Sequence, residues 1–124
     1  RYLNIDVYYG RKLGLAPTAA GRSNWILPTG TRSWQDIAKD WPVAIRVTGF
    51  LGGNSNSTTG DFSLGVQGFR IRGGKIAEPV SEMNIAGNHL EFWKRLVAVG
   101  NDPYPYSPSR APTLVFDGVQ FAGV

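Results

Sequence analysis

Hydrophobic and polar residues alternate in the central part of the chain, as they do in a half-buried β-strand. Val43, Ile45 and Val47 fall on one parity, whereas Arg46 falls on the other. Because successive strand residues point to opposite faces of a sheet, this spacing predicts a strand over residues 43–51 with one face in the core.

The next apolar run changes parity in its middle. Phe62 and Val66 share one parity, but Phe69 and Ile71 share the other. One extra residue in a strand restores a continuous apolar face, so we predict a β-bulge near Gly68.

Glycine and polar residues mark the connections between the predicted strands. Residues 52–60 (GGNSNSTTG) predict a polar loop, and Gly73-Gly74 predicts a hairpin turn into a strand over 75–80. A short apolar run at 24–27 predicts another strand. A final hairpin is expected over 113–121.

The amino-terminal residues have a different character from the rest of the chain. Residues 2–9 alternate in part, which predicts a strand fragment, and an irregular segment containing Ala, Pro, Thr and Gly follows them. We therefore expect residues 1–23 to be an arm that leads in from a preceding region, and residues 24–124 to form a C-terminal β-rich domain.

A helical pattern begins after the second predicted strand. Ser33 is expected to be an N-cap with Asp36 at the capping-box position, and apolar residues recur at helical spacing from Trp34 to Trp41. Pro42 then ends the helix. We expect Trp34 to be a core anchor of this helix.

A second, longer helix is predicted over residues 88–99. Asn88 is the expected N-cap, Glu91 follows three residues later, and Gly100 is the expected residue just beyond the helix. His89 and Trp93 fall on its apolar half. We expect Trp93 to be a core anchor, and His89 to be a core-edge histidine that bonds a neighbour rather than a catalytic base or ligand.

Composition narrows the fold class. The chain has 124 residues, of which 42% are hydrophobic and 18% charged, and this balance excludes a disordered chain. The 16 glycines and 8 prolines favour short strands joined by turns. We predict a mostly β (α+β) domain, an antiparallel sheet of sandwich- or barrel-like form with two short helices. No apolar run approaches the length of a membrane span, so we expect a soluble protein.

The chemistry that the residues can perform is limited. The chain has no cysteine and one histidine, so this segment alone is not expected to build a zinc centre. The formal charge is +4, and Arg70, Arg72 and Lys75 form a basic cluster that leaves single-stranded nucleic-acid binding as an alternative. The other basic residues are scattered, which argues against it.

The segment 52–63 (GGNSNSTTGDFS) is the most suggestive stretch of polar residues. It combines small and hydroxyl residues with two asparagines and one carboxylate, between two predicted strands. Such a hairpin offers backbone and side-chain hydrogen bonds to a ligand. A flexible connector without function has the same composition, and Asp61 alone can serve to cap the turn.

Several short motifs together resemble one known family. They are residues 54–63 (NSNSTTGDFS), Gly68-Phe69, Gly74-Lys75-Ile76, Pro79-Val80 and 84–88 (NIAGN), with 11–15 (RKLGL), 99–102 (VGND) and Ala122-Gly123 on the flanks. In order and spacing they resemble the C-terminal domain of the TldD/PmbA proteins, historically labelled modulator of DNA gyrase. The resemblance covers nearly the whole chain.

The resemblance implies a role in a cytoplasmic zinc metalloprotease complex of paired TldD-like and PmbA-like subunits that processes peptides. In that family the metal is held by an HExxxH helix upstream of this region and, on the TldD-like subunit, by a cysteine in the penultimate loop. The corresponding loop here, 101–112, has no cysteine. The chain is therefore similar to the PmbA-like subunit.

The resemblance also implies where this domain acts. It is expected to supply scaffold and substrate-cleft surface, with no catalytic or metal-binding residue of its own and zinc only in the partner or the complete complex. The expected cleft residues are Asn54, Asn56, Thr59, Gly60, Asp61 and Ser63. The expected partners are a TldD-like subunit or a second copy, together with a peptide, but no membrane and no nucleic acid. A β-rich interaction module without enzymatic connection remains the other alternative.

Overall fold

The structure is a computed structural model that describes residues 5–18 and 24–123. In chain order its elements are α1 (Val7–Leu13), β1 (Trp25–Ile26), α2 (Trp34–Ala38), β2 (Val43–Ser55), β3 (Asp61–Arg72), β4 (Lys75–Asn88), α3 (His89–Phe92), a 3₁₀ turn (Trp93–Arg95), β5 (Leu96–Val99), β6 (Ser109–Arg110) and β7 (Leu114–Phe116). Mostly antiparallel strands with a few short helices confirm the predicted fold class. None of the helices in the described ranges is long and apolar enough to cross a membrane.

The largest sheet has three antiparallel strands in the order β2-β3-β4. The β2–β3 register shifts between Val47 and Gly49, and the β3–β4 register shifts between Val66 and Gly68. These irregularities confirm the bulge predicted near Gly68. A Cβ atom on Gly68 would lie 1.9 Å from the Arg46 carbonyl oxygen, so the two strands need glycine at this point.

The strands of this sheet are longer than the sequence pattern predicts. β2 continues to Ser55, so the predicted loop over 52–60 was wrong in its first part, and β4 continues to Asn88 instead of ending at residue 80. Gly52 and Gly53 have φ values of 120° and 145°, which glycine adopts readily. The two glycines indicated a loop, but they belong to an irregular extension of β2 that stays paired with β3.

One face of the sheet carries the main core. Phe62, Val66, Met83 and Ile85 are buried together, at 7% exposure or less. The hydrophobic side chains packed around them are Ile45, Val47, Leu64, Val80, Phe92, Val119 and Phe121. Because Met83 and Ile85 lie beyond residue 80, this core explains why β4 continues: its distal half contributes two of the four buried side chains.

The first predicted helix is confirmed at its start and is shorter than expected. The Ser33 hydroxyl accepts a hydrogen bond from the Asp36 amide at 3.2 Å, as an N-cap does. Ile37, at 2% exposure, anchors α2. Trp34 is only half-buried, and the Arg46 guanidinium lies 4.0 Å from its ring centroid.

The second predicted helix is confirmed at its start and was wrong after Arg95. Asn88 does cap it, since its side-chain oxygen accepts from the Leu90 amide at 3.0 Å, but residues 96–99 form β5. β5 pairs with β7, which lies far away in the sequence. The helical spacing of residues 88–99 therefore could not reveal this pairing. Trp93 is 51% exposed, so the prediction that it is a core anchor was wrong.

The two ends of the chain also differ from expectation. β7 pairs with β5 and not with residues 119–121, while Ala122 bridges to Asn84, so the predicted final hairpin was wrong. β1 confirms the strand predicted at 24–27, and its partner β6 lies parallel to it. Residues 7–9 lie in α1, contrary to the predicted strand, whose first residues 2–4 fall outside the described residues. The division at residue 23 stays a prediction.

Candidate functional site

Polar side chains gather at one end of the three-stranded sheet. This region, here called the polar end, comprises the last residues of β2, the 56–60 turn, the first residues of β3 and the junction of β4 with α3. Asn54 pairs with Ser63 and Asp61 pairs with Asn88 in the strand register. The sheet therefore brings all six predicted cleft residues to the same end.

The 56–60 turn is built by Asn56. Its side-chain oxygen accepts hydrogen bonds from the amides of Thr58 at 2.9 Å and Thr59 at 3.3 Å. Its backbone closes the turn, because the Asn56 amide donates to the Asp61 carbonyl and its carbonyl accepts from the Gly60 amide, each at 2.8 Å. Gly60 has φ of 83°, which favours glycine. Asn56 thus shapes the turn, and its amide oxygen is already engaged.

Asn88 connects this turn to β3 and α3. Its side-chain NH₂ donates to the Thr59 carbonyl at 2.8 Å and to an Asp61 carboxylate oxygen at 2.9 Å. This bond from Asn88, with a smaller contribution from Thr59, holds the pKa of Asp61 below its ordinary value. Asp61 is therefore a carboxylate at neutral pH, a hydrogen-bond acceptor rather than a proton donor. Its side-chain partner is Asn88 and not an amide of its own turn.

His89 lies at the polar end, not in the core. Its Nε2 is 3.2 Å from the Ser55 hydroxyl oxygen, and its ring lies 4.8 Å from that of Phe62. The expected bond to a neighbour is confirmed, but the side chain is exposed, so the predicted place at the core edge was wrong.

Asn54 and Ser63 are paired across β2 and β3, and their side chains differ in whether they make hydrogen bonds. The Ser63 hydroxyl accepts a hydrogen bond from the Asn84 side-chain NH₂ at 3.2 Å. The Asn54 side chain is exposed, and it makes no hydrogen bond with the residues that the structure describes. Of the two asparagines among the six predicted cleft residues, Asn54 has the side-chain amide that is more available to a ligand.

Four residues of the polar end were missed as site candidates: Ser55, Asn84, Asn88 and His89. Ser55 lies inside the predicted loop, Asn84 and Asn88 lie on β4, which sequence reasoning ended too early, and His89 is the first residue of α3. The motif at 84–88 was the available signal, because its two asparagines return to the 54–63 segment through β3–β4 pairing.

β2 has a free outer edge. It is the first strand in the order β2-β3-β4, and within the described ranges no strand pairs with its other side. Phe50 is 66% exposed and Leu51 is 51% exposed beside this edge. An edge strand of this kind offers backbone donors and acceptors to an added extended chain.

A pocket of about 140 Å³ adjoins the polar end. It lies between the end of β4, α3, the 3₁₀ turn and residues 118–120. Its lining includes Asn88, Glu91, Phe92, Arg95, Gly118 and Val119. Asn88 therefore belongs both to the polar end and to the pocket wall.

The predicted basic cluster is neutralised in part. Arg72 and Arg70 both contact the Glu78 carboxylate, at 2.9 Å and 3.2 Å. Two of the three basic side chains thus share a carboxylate that a nucleic-acid phosphate would have to displace. This arrangement weakens the nucleic-acid alternative.

The side chains at the polar end do not fit a zinc site. The one histidine bonds Ser55, and no group of three His, Cys, Asp or Glu side chains comes together in the described part of the chain. Structural and catalytic zinc sites take at least three protein ligands. The origin of any zinc in a complete protein stays a prediction.

Comparison with known proteins identifies similar sequences and structures. A family model described as the PmbA/TldA metallopeptidase C-terminal domain matches residues 2–123. The metalloprotease PmbA of Escherichia coli O157:H7 is 36% identical over 121 residues, which are 96% of this chain and 27% of that protein.

Two crystal structures have a similar fold, and both are described as modulators of DNA gyrase. The one from Bacteroides thetaiotaomicron has a TM-score of 0.80 with 47% identity and covers 100% of this chain and 28% of its own. The one from Thermotoga maritima has a TM-score of 0.74 with 29% identity over 94% of this chain and 29% of its own. The chain thus spans little more than a quarter of the length of these relatives.

Proposed function

The chain belongs to the PmbA/TldD metallopeptidase family, in which it corresponds to the C-terminal domain, and from this premise we propose that it forms one wall of a peptide cleft. In this proposal the domain supplies scaffold and hydrogen-bonding surface to a peptide-processing metalloprotease of the cytoplasm. It does not supply the metal. The proposed assembly pairs it with a TldD-like subunit or a second copy, and zinc belongs to another part of the assembly.

The observation that carries the proposal is the free edge of β2 beside the polar end. An extended peptide that adds to a sheet edge obtains its affinity from main-chain hydrogen bonds, which do not depend on sequence. Asn54 lies on this edge with an exposed amide, and Phe50 and Leu51 offer apolar area to the peptide's side chains. These features suit a surface that must accept peptides of different sequence.

The contacts assign different roles to the proposed cleft residues. Asn54 is proposed to donate to and accept from the peptide backbone directly. Asn56 and Gly60 shape the turn, and Thr59 and Asp61 hold it to Asn88, so they act by fixing the edge in position. Ser63 is held by Asn84. Asn56→Ala would therefore remove the turn together with any contact to the peptide, and a measured loss could not be assigned to either one.

Asn54→Ala in the full-length protein, assembled with its partner, tests the proposal. We expect a KM for peptide processing roughly fivefold to tenfold higher with kcat little changed, because a hydrogen bond to a bound peptide is worth about 1 kcal/mol and acts on binding alone. The matched control is Asn24→Ala, which removes an exposed asparagine just ahead of β1. Equal KM values for Asn54→Ala, Asn24→Ala and the unchanged protein would contradict the proposal.

A further inference from the structure

The pocket beside the polar end has the size of a single side chain. Its volume of about 140 Å³ is close to that of a cavity that binds one benzene molecule. Phe92 forms a firm wall, since its ring stacks on Phe116 at 4.3 Å and meets Phe62 edge-on at 5.3 Å. Val119 adds apolar surface. The pocket therefore has room for a short aliphatic stem.

The charged groups of the pocket leave one cation without a counter-ion. The Glu91 carboxylate is 2.7 Å from the Lys94 ammonium and is compensated by it. The Arg95 guanidinium donates through Nη1 to the Gly118 carbonyl, a neutral partner, and no described carboxylate lies within ion-pair distance of it. The nearby Asp117 carboxylate accepts a hydrogen bond from the Gly118 amide.

Arg95 is suited to a carboxylate. A guanidinium has five N–H donors in a planar fork, and one bond to Gly118 leaves donors for a bidentate carboxylate. That bond also orients the side chain before any ligand arrives. An apolar wall with a fixed arginine matches a side chain with a short stem and an acidic head.

We propose that this pocket is a subsite for an aspartate or glutamate side chain of the bound peptide. The inference rests on the proposed function, because it extends the cleft from the β2 edge to β4. A peptide added to the β2 edge lies three strand spacings from β4, roughly 14 Å. An extended peptide spans that distance in about four residues. Asn88, which links the 56–60 turn to the pocket wall, makes the two surfaces continuous.

The test uses the full-length protein and fluorescein-labelled hexapeptides in which one aspartate occupies each position in turn, with asparagine peptides as matched partners. Fluorescence anisotropy gives the affinities. We expect the aspartate peptide to bind about tenfold more tightly than its partner at one position, with Arg95→Gln abolishing this preference and leaving the asparagine peptide unchanged. Arg95→Lys, which keeps the charge, should retain part of the preference.

Arg110→Gln is the control, since it removes an exposed arginine of β6 away from the pocket. Equal affinity for both peptides at every position overturns this inference, as does an equal loss for both in Arg95→Gln, which would make Arg95 a structural residue. If Asn54→Ala still weakens both peptides in those cases, the proposed function stands. If neither peptide set binds, the proposed function and this inference fail together.

Discussion

The two ends of the three-stranded sheet are built from different interactions. At the end opposite the polar end, here called the charged end, Arg70 and Arg72 share Glu78 next to the Gly73-Gly74 turn. Helix α2 packs directly on this turn, because a Cβ atom on Gly74 would lie 2.6 Å from a side-chain carbon of Lys39. The polar end is held by neutral amide and hydroxyl groups around one carboxylate, and among the described residues no strand pairs with the outer edge of β2.

This difference separates stability from recognition within one sheet. The ion pair between Arg72 and Glu78 is exposed, and such a pair contributes little, so the stability of the charged end depends more on the burial of Ile37, which belongs to α2. At the polar end, Phe62 provides the burial and Asn88 provides the connections. The free backbone and the Asn54 amide remain available there. The charged end is thus closed by its helix, while the polar end can accept a ligand.

The largest expected effect comes from removing the apolar anchor of either end. Phe62→Ala should lower the free energy of unfolding by about 3–5 kcal/mol, and Ile37→Ala by about 2–5 kcal/mol, because both side chains are at least 94% buried and leave cavities. Urea unfolding measures both values. Phe62→Leu, which keeps part of the volume, is the control for the first variant.

The comparison of the two ends predicts that these two variants differ in their effect on peptide binding. Phe62 supports His89 and Phe92, so its loss should also weaken peptide binding under conditions where the protein is still folded. Ile37→Ala should leave peptide binding unchanged under the same conditions. Equal weakening by both variants would show that the two ends are not separate in function.

A smaller effect is expected from Asn88→Ala. The side chain caps α3 and bonds Thr59 and Asp61, and loss of an N-cap costs about 0.5–2 kcal/mol. We expect about 2 kcal/mol in urea unfolding, because the lost bonds are exposed and water replaces some of them. Asn88→Asp keeps the cap but places a second carboxylate beside Asp61, so it should recover only part of the loss. Full stability in Asn88→Ala would contradict the role assigned to Asn88.

Local signals predicted those parts of the fold that local interactions decide. The capped start of α2, the Gly73-Gly74 turn and the bulge near Gly68 follow from neighbouring residues. α3 has an equally good cap at Asn88, but its continuation is decided by a strand pairing between residues 96–99 and 114–116. Pairing between distant segments is not visible in the helical spacing of one of them.

The candidate site was predicted in the same partial way. Composition located its turn, because small and amide residues cluster at 54–63. Its other half, Asn84 and Asn88, comes from β4, which the pattern ended at residue 80 because the buried positions Met83 and Ile85 are separated from the earlier apolar residues by polar ones. The Asn56 side chain makes hydrogen bonds within the turn, whereas the Asn54 side chain makes none with the described residues. This difference depends on three-dimensional contacts, so the sequence, which shows only two asparagines in one loop, does not reveal it.

The smallest expected effect concerns the carboxylates of the two ends. A hydrogen bond from Arg72 lowers the pKa of Glu78, and a hydrogen bond from the neutral Asn88 lowers that of Asp61. A carboxyl whose pKa is depressed by folding stabilises the protein above its unfolded pKa. That contribution is lost as the pH falls through the folded value. Both contributions should therefore disappear together in acid, below the ordinary pKa range of carboxyl groups.

Salt should separate the two carboxylates. At about 1 M salt the screening length falls to roughly 3 Å, so the attraction between Arg72 and Glu78 weakens and the pKa of Glu78 should rise toward its ordinary value. The bond from Asn88 carries no net charge, so the pKa of Asp61 should stay depressed in salt and rise only in Asn88→Ala. Carboxyl carbon NMR titrations at low and high salt measure both. A salt-dependent rise at Asp61 equal to that at Glu78 would mean that charge, and not the Asn88 amide, holds the polar end's carboxylate.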